Sequence, residues 1–389
     1  MRYSFSSVYM AIIASNILLI LLTFVFRRQK SMVNIGYRLL AIFLVMTLVR
    51  FLLPFEMAFS KTVGLPEWIS APLTWVRHPW FSIGKQDITI WLFLQIIWGI
   101  GFVVKLVTYI RLQCRDRYYF LSHMWDVTHT EPYQSILDEI CEERKRKNVF
   151  GVAEVAGLKI PLLYGVMKPY ILLPKNHSIS EQDLYYVLAH EASHHFHHDL
   201  IVKFLVQLID MVYWWNPFCR ILTRQTDTIL EMRIDDAIAN DGTHTIQDYL
   251  HCLLHLKESA TEADPVSHIS SMPLFAFNGN EQDTDLEKRF IMLTASNHKK
   301  KHFRNIILLL LVLGLYFSSY TFIYEADYSR PEFIEDTFSP SDAGMYAILK
   351  EDGTYDIYFE KYLLENTGSL EFYVGIKIYT EQEIKNEKH

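Results

Sequence analysis

Four long apolar segments constrain what this chain of 389 residues can fold into. Each has about the length that a helix needs to cross the hydrocarbon core of a bilayer, on the order of 20 residues. They are Val8–Phe26, Leu39–Phe55, Thr89–Ile110 and Asn305–Ile323. The sequence therefore predicts a multi-pass α-helical membrane protein in contact with the lipid bilayer. Arg50 and Lys105 lie inside two of these segments, and we expect them to reach toward the nearest interface rather than to act as buried coupling charges.

Basic residues beside the apolar segments predict their orientation. Three clusters flank the segments: Arg27, Arg28 and Lys30 after the first, Arg111, Arg115 and Arg117 after the third, and Lys299, Lys300, Lys301 and Arg304 before the fourth. All three are cytoplasmic if both termini lie outside a bacterial plasma membrane. The four cysteines then lie in the reducing compartment, in agreement with the lack of a disulfide framework.

This orientation divides the chain into four parts. They are residues 1–110 with three spans and an outer loop at 56–88, a cytoplasmic domain at 111–304, a fourth span at 305–323 and a small extracytoplasmic region at 324–389. The basic stretch near residue 145 is typical of a solvated face, so no direct nucleic-acid partner is expected.

The cytoplasmic domain changes from strand-like to helical patterning, which predicts an α+β fold. Short apolar runs bounded by Gly and Pro between Val149 and Pro174 predict strands. Ser180 followed by Asp183 has the form of a capping box that starts a helix. The apolar stretch Leu200–Trp215 is short and carries charges, so we expect a buried or interfacial helix rather than a span.

The helix that follows Ser180 contains a HExxH motif, His190-Glu191-Ala192-Ser193-His194. Residues four apart share one face of a helix, so both imidazoles can bind one ion. A catalytic zinc of this kind has a third protein ligand and an open position for water, and Glu191 can take a proton from that water. The motif predicts a peptidase with Zn²⁺ as its cofactor.

A downstream helix offers the remaining acidic groups. Glu231 is the predicted third metal ligand. Asp235, one turn further on, could orient a ligand histidine through its second ring nitrogen. Asp227 and Asp236 on the same helix are rival candidates.

In this order, the motifs resemble the membrane metallopeptidases of the BlaR/MecR type, the M56 peptidases. The similar blocks are Ile160–Gly165, Lys168–Pro174, Leu188–His194 with Asp199, Trp214–Pro217, Glu231–Asp235, and Arg289 with Leu293. The resemblance implies a cytoplasmic zincin-like (gluzincin) metalloprotease domain between the third and fourth spans. It also implies that an outside signal triggers cleavage of the protease itself and of a cytoplasmic transcriptional repressor.

Two segments carry predictions about substrates. Tyr170, Ile171 and Leu172 precede the HExxH helix, and we expect them to form an exposed edge strand that pairs with the substrate backbone. The polar stretch Glu258–Gln282 is expected to be a loop that is cut during self-cleavage.

The outer region differs from the penicillin-binding sensor of that family, since residues 324–389 are too few for such a domain. They contain 15 acidic and 6 basic residues. Three strands are predicted, with the loop Glu56–Ile88 as a partner face; they are Met345–Lys350, Thr354–Glu360 and Leu370–Tyr379. We expect this acidic surface to sense a cationic inducer.

Two other functions stay open. A quality-control membrane protease of the HtpX type also has a tethered HExxH motif and a downstream glutamate. The block Trp214–Pro217 and the outer C-terminal region argue against it. A receptor with a relic protease fold would relay a signal without turnover, and it would have no need of Glu191.

Overall fold

The computed structural model describes residues 4–83, 86–175, 179–240, 245–262, 283–295, 302–325, 345–350, 354–359, 362–367 and 376–380. The chain forms two compact units. The first comprises Met1–Thr62 and Leu73–Tyr324, and the second comprises Val63–Pro72 and Glu325–His389. The predicted self-cleavage loop Glu258–Gln282 lies largely outside the described residues.

The N-terminal part is mostly helical. In chain order it contains α1 (Phe5–Arg27), α2 (Gln29–Ile35), α3 (Tyr37–Leu52), β1 (Lys61–Gly64), α4 (Glu67–Arg77), β2 (Pro79–Ile83), β3 (Gln86–Thr89) and α5 (Ile90–His123). Strands β2 and β3 form an antiparallel pair. Gly36 separates α2 from α3 at a φ of 79°, a conformation that favours glycine, and the two helices meet at 90°.

The central part contains a small sheet and six helices. They are β4 (Met124–Asp126), α6 (Tyr133–Glu143), β5 (Gly151–Val155), β6 (Leu162–Tyr164), β7 (Tyr170–Pro174), α7 (Glu181–Phe196), α8 (Asp199–Val212), α9 (Phe218–Ala239), α10 (Ile246–Glu262) and α11 (Asp283–Thr294). The sheet has the order β4-β5-β7-β6, and only the pair β5–β7 is parallel.

The position of β7 corrects the prediction of an exposed edge strand. β7 lies inside the sheet, with β5 on one side and β6 on the other. Ile171 and Leu172 are buried, and Tyr170 pairs with Gly151 and Tyr164. The backbone of this strand is therefore used within the sheet and is not open to a substrate.

The chain continues with α12 (His302–Thr321) and β8 (Phe322–Glu325). Among the described residues, α1, α5 and α12 are long and apolar enough to cross a membrane, and the bent pair α2–α3 makes a fourth span if it counts as one. The protein is thus an integral membrane protein.

Arg50 does not reach toward water as predicted. Its side chain is buried, and its guanidinium donates to the Ser319 hydroxyl (3.0 Å) and to the Ser319 carbonyl (2.9 Å). It also lies over the Tyr320 ring at 4.1 Å. This basic residue therefore links the end of α3 to the end of α12.

Two of the three buried clusters in the described part of the first unit surround the HExxH helix and the spans. One joins the sheet to α6, α7 and α10, with Leu163, Ile171 and Leu188 near its centre. The other joins α1, α2, α3 and α12 to α8 and α9. The HExxH helix starts where the sequence predicts, because the Ser180 hydroxyl caps the Asp183 amide at 3.1 Å.

In the second unit, a four-stranded sheet is built from β9 (Met345–Leu349), β10 (Tyr355–Phe359), β11 (Tyr362–Thr367) and β12 (Lys377–Thr380). Its order is β11-β10-β9-β12, and β12 is parallel to β9. The first two strands match the prediction, and β11 was not predicted. β12 overlaps the end of the predicted third strand Leu370–Tyr379, of which 370–375 lie outside the described residues. Residues 63–72 of the loop between the second and third spans belong to this same unit.

Candidate metal centre

Helix α7 places the two histidines of the HExxH motif side by side. His190 and His194 are both buried, and their rings lie 4.9 Å apart at nearly a right angle. Both Nε2 atoms are directed toward the same carboxylate, which belongs to Glu231 of α9. The helical spacing thus brings two nitrogen ligands to one point.

Glu231 completes a group with the chemistry and spacing of a zinc site. Its Oε2 atom lies 3.2 Å from His190 Nε2, and its Oε1 atom lies 3.4 Å from His194 Nε2. Ligand atoms about 2.0 to 2.1 Å from a tetrahedral ion are separated by about 3.3 Å. Ligand atoms of the three residues all lie within 4.8 Å of one another. Among the described residues, this buried His-His-Glu group is consistent with a zinc site.

The His190 ring is fixed through a tyrosine. His190 Nδ1 lies 2.9 Å from the Tyr249 hydroxyl, which donates to Asp235 Oδ1 at 2.6 Å. Because the hydroxyl proton goes to Asp235, the hydroxyl oxygen accepts the Nδ1 proton of His190, and Nε2 is left with its lone pair toward Glu231. Asp235 itself is 3.9 Å from Nδ1, so it acts on this histidine through Tyr249.

His194 is fixed by a different carboxylate. Its Nδ1 atom lies 2.8 Å from Asp199 Oδ2, and Asp199 is buried as the first residue of α8. Arg233 of α9 donates to the other carboxylate oxygen. Asp199 therefore holds the His194 ring with Nε2 toward the ligand group.

Arg289 of α11 neutralises the acidic side of the centre. It makes two hydrogen bonds of 2.7 Å to Asp235 and lies 3.1 Å from Glu231 Oε2. Burial alone would raise the pKa of Glu231, but chiefly the charge of Arg289 holds it well below its usual range. Glu231 is thus ionised and ready to bind a cation.

Glu191 lies next to the ligand histidine on the same helix and is buried. Its Oε2 atom accepts no hydrogen bond from any residue in the described part of the chain.

The rival acids Asp227 and Asp236 do not join the ligand group. Asp227 pairs with Lys203 at 3.4 Å, and the Asp236 carbonyl accepts from the Asn240 amide near the end of α9.

Sequence reasoning missed Tyr249 and gave Asp199 and Arg289 no role. Tyr249 lies 59 residues after His190 and Arg289 lies 54 residues after Asp235, so neither pair has a local signal. Asp199 is the fifth residue after His194. A helix cannot bring positions five apart onto one face, and the turn between α7 and α8 makes the contact possible.

Comparison with known proteins identifies relatives. A family model described as BlaR1 peptidase M56 matches residues 8–293. The regulatory protein BlaR1 of Bacillus licheniformis is 35% identical over 82 residues, which are 21% of this chain and 14% of that protein. The methicillin resistance mecR1 protein of Staphylococcus aureus is 23% identical over 174 residues, 43% of this chain and 29% of that protein. The regulatory protein BlaR1 of Staphylococcus aureus is 21% identical over 235 residues, which are 58% of this chain and 36% of that protein. The matched segments span well under half of each relative.

Proposed function

The chain belongs to the BlaR1 peptidase M56 family, and we propose that it is a signal-transducing zinc metalloendopeptidase of the membrane. The observation that carries this proposal is the buried group of His190, His194 and Glu231 with Glu191 beside it. A site that only relayed a signal would need neither an ionised ligand set nor an adjacent carboxylate free to move a proton.

The chemistry follows from the roles of these residues. His190, His194 and Glu231 would hold Zn²⁺, which supplies Lewis acidity to water and to a peptide carbonyl. Glu191 accepts the proton that the attacking water loses and passes it to the amine nitrogen as the peptide bond breaks. The products are a carboxylate and a protonated amine, which takes up both protons of the water, and Glu191 is regenerated as a carboxylate.

Two variants test the assignment in the purified full chain. Glu191→Gln is expected to keep one zinc per chain and to lose peptide cleavage by at least about 100-fold, since only the base is removed. His194→Ala is expected to lose both zinc and cleavage. Asp236→Asn serves as the matched control, because that acid lies outside the ligand group. Cleavage by Glu191→Gln at the parental rate would exclude this mechanism, and intact signalling by that variant would favour a receptor without turnover.

We infer that the substrate backbone pairs with β6 rather than with β7. β6 is the terminal strand of the sheet and packs against α7, the helix that carries the two histidines. A terminal strand has one edge available for an extended peptide. Tyr164→Pro, at the half-buried last residue of β6, is expected to raise the KM for a peptide substrate, and an unchanged KM in the folded variant would refute this placement.

We also propose that the substrates are the chain itself, within 258–282, and a cytoplasmic repressor. The relatives are named as regulatory and resistance proteins, which supports a signalling role. The basic flanks of the spans support a cytoplasmic location for the protease part. The acidic region 324–389 is the proposed sensor for a cationic inducer. Mass spectrometry of induced cells tests this: an intact chain and an intact repressor during full induction would refute it.

A further inference from the structure

Helix α8, the turn that follows it and the first part of α9 form a hairpin, residues 199–225, which packs among the membrane-spanning helices. Val206, Ile209 and Tyr213 belong to the same buried cluster as apolar residues of α1, α3 and α12. Helix α8 has 14 residues, which is too short to cross a bilayer. The hairpin therefore shares a core with the spans without being a span.

Two contacts show how far the tip of the hairpin, residues 212–217, reaches into the membrane-spanning part. Asn216 donates to the Asn16 side chain at 2.9 Å, and Asn16 is at the middle of the 23-residue α1. The Tyr213 hydroxyl donates to the carbonyl of Phe51 at 3.2 Å, one residue before the end of α3. The tip is thus at least halfway along the spans, measured from the end of α1 that carries Arg27.

The irregular backbone at the tip is supplied with hydrogen bonds, as a structure at membrane depth requires. The indole of Trp98 in α5 donates to the Val212 carbonyl at 2.8 Å. The indole of Trp214 donates back to the Trp98 carbonyl at 3.2 Å. The Asn216 side chain accepts from the Phe218 amide at 3.1 Å, at the start of α9.

Charged residues of α8 are also paired. Asp210 lies 2.7 Å from Lys105, the basic residue inside span α5. Lys203 lies 3.4 Å from Asp227 of α9. Burying an ionisable group inside a membrane has a high free-energy cost unless the group is paired with another. These two ion pairs therefore lower the free-energy cost of placing α8 in lipid.

We propose that this hairpin is re-entrant and that its open apolar face contacts lipid acyl chains. Ile201, Phe204 and Trp215 lie on that face, with Ile201 44% and Trp215 51% exposed. The face is continuous with span α5, because Trp98 of α5 bonds to the tip. An apolar surface attached to a span at mid-depth has hydrocarbon as its surroundings.

Contacts of α11 show the level of the metal centre relative to the end of span α1. Two adjacent residues of α11 show this: Lys288 lies over the ring of Phe26 at 5.8 Å, and Arg289 lies 3.1 Å from Glu231. Phe26 is the last residue but one of α1. The His-His-Glu group is therefore level with the end of a span, close to the membrane surface.

This placement narrows the substrate class, a step that rests on the proposed peptidase function. The site is positioned for polypeptide segments that lie close to the membrane surface. A peptide carrying a lipid anchor on a short linker should be cleaved at least about 10-fold faster than the same peptide free in solution. Equal rates would refute this step. Failure to cleave either peptide would refute the peptidase function and would leave the depth of the hairpin to the measurements below.

Spin labelling of the full chain in phosphatidylcholine–phosphatidylglycerol nanodiscs tests the depth directly. A label at Trp215→Cys, with Cys114→Ser as the background, should collide more with O₂ than with a water-soluble nickel complex. Met167→Cys, in the turn between β6 and β7 and 94% exposed, should show the reverse. If the Trp215 variant does not fold, Ile201→Cys replaces it. Equal accessibility of the hairpin label and the Met167 label to the nickel complex would overturn the proposal.

Two glycines of α5 give a matched pair of perturbations. A Cβ added at Gly101 would lie 2.2 Å from the Trp214 ring, whereas one added at Gly99 would meet nothing within 4 Å. Gly101→Ala should therefore displace the tip and raise the access of the nickel complex to the label at position 215, while Gly99→Ala should not. Identical behaviour of the two variants would show that the tip does not dock on α5 and would overturn the proposal.

Discussion

The two hydrogen bonds of the Tyr249 hydroxyl predict that this group strengthens zinc binding. This hydroxyl connects His190 Nδ1, at 2.9 Å, to Asp235 Oδ1, at 2.6 Å, inside a fully buried environment. Burial and the charge of Asp235 raise the pKa of Tyr249 well above its usual value, so the hydroxyl keeps its proton at all physiological pH values. Tyr249→Phe removes that hydroxyl and little else.

The expected loss of zinc affinity follows from the distances between His190 Nδ1 and its neighbours. After the substitution, Asp235 Oδ1 is the nearest carboxylate oxygen of the network but lies 3.9 Å from His190 Nδ1, too far to replace the lost hydrogen bond. Loss of a hydrogen bond to the second nitrogen of a ligand histidine typically weakens metal binding by about 10- to 100-fold. That range corresponds to about 1.4 to 2.7 kcal/mol.

The assay is zinc competition against a chromophoric chelator with purified protein. Tyr249→Phe should show the 10- to 100-fold rise in Kd, and cleavage should recover when zinc is raised to saturation. Tyr185→Phe is the matched control, because its hydroxyl donates to Glu143 at 2.8 Å away from the ligand group. A zinc Kd for Tyr249→Phe equal to that of the control would refute the proposed path from His190 through the tyrosine to Asp235.

Three other substitutions or measurements have defined outcomes. Asp199→Asn should also weaken zinc binding by about 10- to 100-fold in the same competition assay, since it removes the charged partner of the second ligand histidine. Ile171→Pro should cost about 3 kcal/mol or more and abolish folding, read by thermal melting, because the strand is interior and the side chain is buried. At pH 8 a thiol reagent should label Cys114, which is exposed, well before Cys141. Burial raises the pKa of Cys141 to about 11, so about one thiol in a thousand is ionised at that pH; equal labelling rates would contradict the burial.

The ligand group could be predicted from the sequence because its spacing is mostly local. Positions 190 and 194 share one helix face whatever the rest of the fold does. Glu231 was the acidic residue of the next long helix best placed to complete the group, and the structure brings it there. Of the supporting residues, Asp235 could be predicted from its place one turn after Glu231. Tyr249 and Arg289 could not, because they reach the site only through the packing of α10 and α11.

The misplacement of β7 has a physical reason as well. The sequence from Tyr170 to Leu173 is continuously apolar, a pattern that distinguishes a strand from a loop. Strands buried on both faces have continuous rather than alternating apolar residues. The run itself therefore favoured an interior strand, and the position before the catalytic helix was the weaker guide.

Helix α8 shows why hydropathy alone cannot place a segment in a membrane. Lys203 and Asp210 lower the mean hydropathy of the stretch and make it resemble a helix at an interface. Their partners, Asp227 and Lys105, lie 24 and 105 residues away in sequence, beyond any window that averages hydropathy along the chain. A paired charge costs far less in hydrocarbon than an isolated one, so the cost of burying α8 is set by contacts that only the folded chain makes. The same pairing shows that Lys105 of span α5 neutralises the charge of Asp210, which the position of Lys105 in the sequence does not reveal.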